Sequence, residues 1–340
     1  MNVWVDACWF ALGIGVVLYA LTGGPDLGAG VWSLLASGPR KAEQRRALHD
    51  AIAPIWEANH VWLIFVIVLM FSAFSRAFSA ISIALHIPIA LAVLGIVMRG
   101  AAFAFHAYGI HSARTRRGWS WVFSLSSICT PILLGDAAGA LGTGQIRVEA
   151  GQVTSGFFAG WTTPFAWLVG CFTLALFATL AAVYLAAEAE DPALADDFRA
   201  RALGAEVVAG VFAGLVLWRA SEEAPDLYSV LMGSGWSWAV QAVTADLALV
   251  TVLLLWVRQP RIARYTCAAQ AAAVVITWGV AMDRHFILPD VTVAAAVSYL
   301  PALPTFALVY AAGAVVLFPA FLYLLKVFKT RPNSERGHDT

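Results

Sequence analysis

Residues 162–187 read TTPFAWLVGCFTLALFATLAAVYLAA and contain no charged side chain. A helix needs about 20 apolar residues to cross the hydrocarbon core of a bilayer. Apolar residues occupy every face of this stretch, and a helix satisfies all of its own backbone hydrogen bonds in lipid. An outer-membrane β-strand would instead be about ten residues long and would alternate apolar and polar positions. The stretch therefore predicts a transmembrane helix.

Similar stretches recur along the whole chain, so we predict an all-α integral membrane protein with about nine transmembrane helices. The predicted spans are 4–35, 54–74, 77–108, 119–140, 162–187, 205–219, 236–257, 266–283 and 303–327. The composition agrees, because 61% of the 340 residues are apolar and 12% are charged, whereas about a quarter of a soluble domain is charged. We expect residues 1–328 to form one polytopic membrane domain and residues 329–340 to form a disordered cytoplasmic tail.

The distribution of Lys and Arg predicts the orientation, since cytoplasmic loops carry an excess of these residues. Every odd-numbered span is followed by a basic segment. These segments contain Arg40, Lys41, Arg45 and Arg46, then Arg114, Arg116 and Arg117, then Arg199 and Arg201, then Arg258, Arg261 and Arg264, and finally Lys326, Lys329, Arg331 and Arg336. The remaining connections hold one basic residue each. The alternation predicts an N-terminus outside and a C-terminus in the cytoplasm, and no basic stripe with interleaved aromatic residues suggests nucleic-acid binding.

The first polar cluster is TGGPDLGAG at residues 22–30, inside the first span. Gly23, Gly24 and Pro25 are expected to kink or thin the helix. Small residues such as Gly28 and Gly30 let a second helix approach closely. One interpretation is a polar path around Asp26 or a tight helix junction. The other is a kinked packing helix in which Asp26 caps the restarted segment.

The second cluster opens the second span as APIWEANHVWL, residues 53–63. Glu57 and His60 are three residues apart and therefore share a helix face, and Trp56 and Asn59 share the adjacent face. A Glu beside a His just below the cytoplasmic surface suits proton uptake. Stabilisation of the helix dipole by Glu57, with interfacial anchoring by the tryptophans, is the alternative.

A buried cation is predicted at Arg99, within the apolar run IVMRGAAFAFHAYG at residues 96–109. Counting about 1.5 Å per residue from the cytoplasmic ends of their helices, Arg99, Asp26 and Glu57 lie at similar depth on three successive spans. An ionisable group inside a membrane is a functional candidate by default. We therefore expect one cluster in which Arg99 balances one carboxylate and the other can titrate.

Histidines give no indication of haem or metal binding by this chain. His60, His86 and His106 are the candidates within or near the spans. A di-haem cytochrome has paired histidines at regular spacing on two helices, and that pattern is absent from the sequence. We expect no firmly bound cofactor and no metal.

The motifs around Asp26, Glu57 and Arg99 resemble those of subunit II of the cytochrome bd-type quinol oxidases, including the cyanide-insensitive branch. TGGPDLGAG stands where that family has D-G-x-D-x-G-x-G, so that Gly23 replaces the first acid and Asp26 keeps the second. AIAPIWEANHVWLI is similar to the family's I-A-P-x-W-[DE]-x-N-x-V-W-L, and Arg99 matches an arginine late in the third span. The resemblance extends over all nine predicted spans.

The resemblance implies an enzyme subunit: the complex oxidises quinol and reduces dioxygen to water in aerobic respiration. Two b-type haems and one d-type haem would be held by the partner, subunit I, while this chain would supply structural support, a proton path and an oxygen route. The further implied partners are the quinone pool, the lipid bilayer and an optional small single-span subunit, in the bacterial inner (cytoplasmic) membrane. The expected proton-path residues are Glu57 and Asp26, and the expected structural or electrostatic residues are Arg99, Trp56, Asn59 and His60.

A stand-alone multi-span transporter is the alternative from a different functional class. Such a protein should have a central polar cavity, broken helices near the midplane and internal symmetry. The polar residues of this chain are instead concentrated towards the predicted cytoplasmic side, and the sequence contains no visible repeat.

Overall fold

The computed structural model describes residues 2–52, 56–108 and 112–329, which form a bundle of helices with two small β-hairpins. The helices are α1 (Val3–Leu34), α2 (Lys41–Ile52), α3 (Trp56–Asn59), α4 (Val61–Ala73), α5 (Ser75–Ala84), α6 (His86–Tyr108), α7 (Ala113–Leu141), α8 (Pro164–Glu188), α9 (Pro192–Glu223), α10 (Pro225–Gly233), α11 (Gly235–Trp256), α12 (Pro260–Ala281) and α13 (Leu303–Lys329). The strands are β1 (Val148–Glu149), β2 (Gln152–Val153), β3 (His285–Ile287) and β4 (Val291–Thr292), and each consecutive pair is antiparallel. A short 3-10 helix, Leu300–Ala302, precedes α13.

Seven of the described helices are long and apolar enough to cross a membrane, namely α1, α6, α7, α8, α9, α11 and α13. The pair α4 and α5 passes the same test jointly, but it is bent by 115°. Helix α12 has the length of a span but carries Arg261, Arg264 and Gln270. The prediction of an all-α membrane protein is confirmed, and the described helices support seven or eight spans on length and composition alone.

The predicted third span, 77–108, is not one helix. The chain forms α5, then leaves the helix at Leu85, and restarts as α6 at His86. Helix α5 packs against the hairpin strands, and the backbone N–H of Arg76 donates to the carbonyl of Ala296 over 3.2 Å. The sequence runs ISIALHIPIA through the break, so apolar residues continue where the helix does not.

Helices α1 and α8 form the centre of the bundle. About two thirds of the most apolar stretch of α8 is buried inside the chain, whereas none of that of α13 is. The indole N–H of Trp32 on α1 donates to the carbonyl of Ala178 on α8 over 2.8 Å. On the periphery, Trp62 of α4 packs against Phe318 and Phe321 of α13 with ring centroids 5.2 and 5.7 Å away. The apolar surfaces of the outer helices are exposed in this chain and can contact lipid or a partner chain.

The segments predicted to lie outside the membrane meet at one end of the bundle. Arg284, before β3, forms an ion pair with Asp6 in the first turn of α1. Arg147, before β1, pairs with Asp290 of the second hairpin over 2.8 Å. These contacts join the N-terminus, the 142–163 connection and the 282–302 connection, which the predicted topology places on the same side.

The segments predicted to be cytoplasmic meet at the opposite end. Arg40 forms an ion pair of 2.6 Å with Asp197 at the start of α9, and this carboxylate raises the pKa of the Arg40 guanidinium by accepting its hydrogen bonds. Gln44 of α2 donates to Asp197 over 2.9 Å and accepts from Arg201 over 2.7 Å. The contacts agree with the predicted alternation of sides, while the absolute orientation stays a prediction.

Candidate functional site

Helix α1 carries Asp26 into the middle of the bundle. The helix continues through Pro25 to Leu34 without interruption, so the restart at Asp26 that one interpretation required does not occur. A Cβ atom added to Gly28 would lie 2.0 Å from the carbonyl oxygen of Phe177 on α8. One added to Gly30 would lie 2.1 Å from the Cβ of Ser127 on α7. The predicted role of these two glycines in close helix approach is confirmed, and it buries Asp26.

The carboxylate of Asp26 forms a hydrogen bond with the side chain of Asn59, the last residue of α3. The side-chain amide of Asn59 donates to Asp26 Oδ2 over 2.6 Å, and both side chains are almost completely buried. A hydrogen bond to an ionised carboxylate is stronger than one between neutral groups. Trp56 and Glu57 belong to the same short helix, but their side chains lie outside the described part of the structure.

The side chain of Arg99 on α6 extends to Asp26 and is 1% exposed. One of its Nη atoms donates to the main-chain carbonyl of Asp26 over 3.0 Å. The ring of Phe123 on α7 lies 5.2 Å from the guanidinium carbon, a distance typical of a cation–π contact. Arg99 Nε is buried and has no hydrogen-bond partner among the described residues. The structure thus brings together Asp26, Asn59 and Arg99 from three successive membrane segments.

Tyr19 is a member of this cluster that the sequence analysis missed. Its ring occupies the space beside Gly23, because a Cβ added there would lie 2.7 Å from Tyr19 Cε2. The Tyr19 hydroxyl is buried without a hydrogen-bond partner among the described residues, and the ring lies 6.1 Å from that of His60. Tyr19 precedes Gly23 by four residues and Asp26 by seven, a spacing that places all three on one helix face. This spacing in the sequence could have identified Tyr19 as a member of the cluster.

A cavity of about 300 Å³ borders Asp26 and Asn59. It extends along α8 past Tyr184 to Glu188, the last residue of that helix, at the end of the bundle predicted to be cytoplasmic. Its other walls are mainly apolar, from α1, α2 and α8. The cavity therefore links a buried carboxylate to an acidic residue near the surface, and a space of this size with polar partners can hold water.

Two of the three candidate histidines, His60 and His86, have described side chains and lie at opposite ends of the bundle. His60 adjoins the Asp26 cluster, whereas His86 begins α6 and its ring lies 5.0 Å from Phe157 in the connection between α7 and α8. His86 Nδ1 is 2.8 Å from the carbonyl oxygen of Ile83. The side chain of His106 lies outside the described residues. His60 and His86 are thus not placed to share one iron, and within the described ranges no three His, Cys, Asp or Glu side chains form a metal-binding group.

Residues 5–328 match the family described as "Cytochrome bd terminal oxidase subunit II". The chain belongs to this family. The match covers α1 to α13, including Asp26, Asn59 and Arg99, and accords with the bundle of membrane-length helices. The expected family and the multi-pass membrane character are therefore confirmed.

Individual relatives are distant in sequence. The chain is 27% identical over 180 residues to cytochrome bd-I ubiquinol oxidase subunit 2 of Escherichia coli, an alignment that covers 52% of this chain and 47% of the relative. The chain thus spans about half the length of that relative. It is 24% identical over 325 residues to a putative cytochrome bd menaquinol oxidase subunit II of Bacillus subtilis, with 92% of each chain covered.

The fold is similar to that of a chain in the solved structure of bd oxidase from Geobacillus thermodenitrificans. The TM-score is 0.79 at 22% identity, and the superposition covers 96% of this chain and 99% of the other. At this identity the similarity concerns the fold alone.

Proposed function

We propose that the chain is subunit II of a bd-type quinol oxidase in the bacterial cytoplasmic membrane, where it assembles with a haem-bearing subunit I. The complex would oxidise quinol and reduce dioxygen to water. Family membership over residues 5–328 supports this, as do relatives named ubiquinol and putative menaquinol oxidase subunits. The proposed role of this chain rests on the buried hydrogen bond between Asp26 and Asn59. This hydrogen bond lies beside a cavity that extends to Glu188.

The proposed topology has nine spans, formed by α1, α4, α6, α7, α8, α9, α11, α12 and α13, with the N-terminus outside and the C-terminus in the cytoplasm. The contacts that gather alternate connections at opposite ends support it. Residues 1–328 would form one membrane domain. The proposed cytoplasmic tail, 329–340, lies outside the described residues from position 330 onwards.

The haems, two b-type and one d-type, are proposed to reside in subunit I. When bound there, they supply electron transfer and the reduction of dioxygen. In this proposal the chain binds no haem itself; the two candidate histidines whose side chains are described, His60 and His86, lie at opposite ends of the bundle. This chain's contribution is then to position groups and to conduct protons, together with an apolar bundle through which dioxygen can diffuse.

The proton path would deliver the protons that water formation consumes, and we place its entrance at the end of the bundle predicted to be cytoplasmic. Exposed Glu188 and buried Asp26 both line the cavity, while Glu57 belongs to the short helix that supplies Asn59. In this proposal Glu57 and Asp26 transfer protons. Arg99 holds the main chain of Asp26, and Asn59 orients its carboxylate. Trp56 and His60 have structural or electrostatic roles.

The transporter alternative has less support. The acidic residues that border the cavity, Asp26 and Glu188, lie towards the end of the bundle predicted to be cytoplasmic rather than at the midpoint of their helices. Helix α1 also passes its proline without breaking. Neither feature favours alternating access around a midplane site.

Affinity purification of the tagged chain from its native host tests the assignment. We expect a haem-containing partner to copurify and the reduced-minus-oxidised spectrum to contain b- and d-type bands.

In the same complex, Glu57→Gln should lower quinol-dependent oxygen consumption about 100-fold or more with haem content unchanged. Glu43→Gln, at an exposed position on α2, should leave oxygen consumption unchanged. A chain that purifies alone and carries its own b-type haem would contradict the assignment. Full turnover of Glu57→Gln would contradict only the proton role.

A further inference from the structure

A second cavity, of about 370 Å³, lies at the same end of the bundle and shares the wall residue Leu48 with the first. It is enclosed by the amphipathic helix α2, the last turn of α1, and the adjoining parts of α6 and α7. We propose that this cavity binds the headgroup of an anionic phospholipid. The lipid would hold α2 against the membrane face of the bundle.

The floor of the cavity is apolar and well packed. Leu48 of α2 and Ala102 of α6 are almost fully buried, and Phe103 and Phe123 complete the surface. Next to it, Trp119 stacks on Phe105 with ring centroids 4.7 Å apart. Tryptophan and other amphipathic aromatic residues are typical of the membrane–water interface. The cavity therefore lies at the depth at which the headgroup of a lipid meets its acyl chains.

The rim of the cavity is cationic. Arg45 and Arg46 line it together with one carboxylate, that of Asp50, so the arginines leave a net positive charge. Arg45 is oriented by a hydrogen bond of 3.2 Å from its Nε to the carbonyl oxygen of Ser33 at the end of α1. That bond uses one of the five N–H donors of a guanidinium, whose geometry suits phosphate oxygens.

His49 and two hydroxyl groups complete the polar side. The imidazole stacks on Phe103 with centroids 4.7 Å apart, and its Nδ1 lies 3.9 Å from Asp50 Oδ1. Ser33 and Ser120 also line the cavity. Basic pockets between membrane helices on the cytoplasmic side are a recurrent setting for anionic lipid headgroups. A cavity of this volume accommodates a phosphodiester headgroup and the first carbons of the chains.

The acyl chains would continue over apolar surface that the fold leaves uncovered. Leu35 at the end of α1 and Phe105 of α6 are each more than half exposed. A soluble anion would gain nothing from this surface or from the apolar floor. The combination of a cationic rim, an apolar floor and an apolar exit therefore favours a lipid over free phosphate.

Native mass spectrometry of the intact, delipidated oxidase complex tests the proposal. The complex is titrated separately with phosphatidylglycerol, phosphatidylcholine and inorganic phosphate. We expect preferential binding of phosphatidylglycerol, weakened about fivefold for each of Arg45→Gln and Arg46→Gln. The matched control is Arg114→Gln with Arg117→Gln, two exposed basic positions of α7 outside the cavity lining, and it should bind like the wild type.

A second variant separates the cavity from surface charge. Ala102→Leu adds bulk to the floor without changing any charge, so it should weaken phosphatidylglycerol binding while haem content confirms assembly. Equal binding of inorganic phosphate would overturn the lipid assignment. Equal losses in the α7 control would indicate diffuse charge attraction and overturn the site, as would unchanged binding after both arginines are replaced.

Discussion

Asp26 and Asp136 are both carboxylates buried in membrane helices, yet their surroundings differ. Asp26 accepts a hydrogen bond from Asn59 and borders a cavity that extends to the end of α8. Asp136 of α7 is completely buried, but neither carboxylate oxygen has a hydrogen-bond partner among the described residues. It lines neither of the two cavities described above. Burial alone therefore does not distinguish the two sites, whereas partners and access to the surface do.

The difference follows from how neighbouring helices approach each carboxylate. Around Asp26, close packing of α1 on α7 and α8 leaves an open wedge towards α2 and α3. Around Asp136, Gly135 packs against α8 so closely that an added Cβ would lie 2.4 Å from Thr173 Oγ1 and 2.8 Å from Gly170 Cα. We therefore expect Asp26, which borders an open wedge, to exchange protons with water more readily than Asp136, which follows the tightly packed Gly135.

The largest expected effect comes from Arg99→Ala. The substitution removes a fully buried cation that holds the main chain of Asp26. Loss of one charge from a buried polar cluster costs about 3–5 kcal/mol, so the haem content of the purified complex should fall sharply. Arg99→Lys, which keeps the charge, should retain more haem than the alanine variant. Normal haem content in Arg99→Ala would indicate that the cluster does not stabilise the assembly.

Gly28→Ala should have the next largest effect. The new methyl group would meet the backbone of Phe177 at 2.0 Å, so α1 and α8 would have to separate. Overpacking of this kind costs about 1–3 kcal/mol and should lower the thermal midpoint of the complex. Gly13→Ala is the control on the same helix, because an added Cβ meets nothing within 4 Å there. Equal midpoints for the two variants would mean that the contact is not tight.

A smaller effect is expected for Glu188→Gln. Glu188 lies at the mouth of the cavity rather than at its buried end, and bulk water can replace part of its role. Quinol-dependent oxygen consumption should fall less than in Asp26→Asn, with haem content unchanged. Glu190→Gln, an exposed acid two residues away and outside the cavity, should leave oxygen consumption unaltered. If both variants behave alike, protons do not enter at Glu188.

The sequence predicted the parts of the site that depend on one helix at a time. Gly28 and Gly30 indicated a close helix contact, and the depth of Arg99 indicated where it would meet Asp26. Tyr19 was missed although its spacing to Asp26 was readable. The break at Leu85 was missed because apolar residues continue through it without a glycine, and the proline that follows, Pro88, lies in the first turn of α6, where proline is tolerated.

Other features could not be predicted because they arise between elements that are distant in the chain. The hydrogen bond between Gln44 and Asp197 connects α2 to α9, and the two residues are 153 positions apart in the sequence. The two cavities depend on how several helices diverge, and helix periodicity does not encode that geometry. The contact of Arg99 with the carbonyl of Asp26 likewise required the relative rotation of two helices.

We propose that the Asp26 site conducts protons, whereas the Asp136 site does not. The most direct test is quinol-dependent oxygen consumption by the purified complex carrying Asp26→Asn or Asp136→Asn, normalised to haem. Both substitutions preserve side-chain size and remove a titratable group. We expect turnover to fall about 100-fold in Asp26→Asn and to stay near the wild-type rate in Asp136→Asn. Equal turnover in the two variants, or a larger loss in Asp136→Asn, would contradict a proton role that is specific to Asp26.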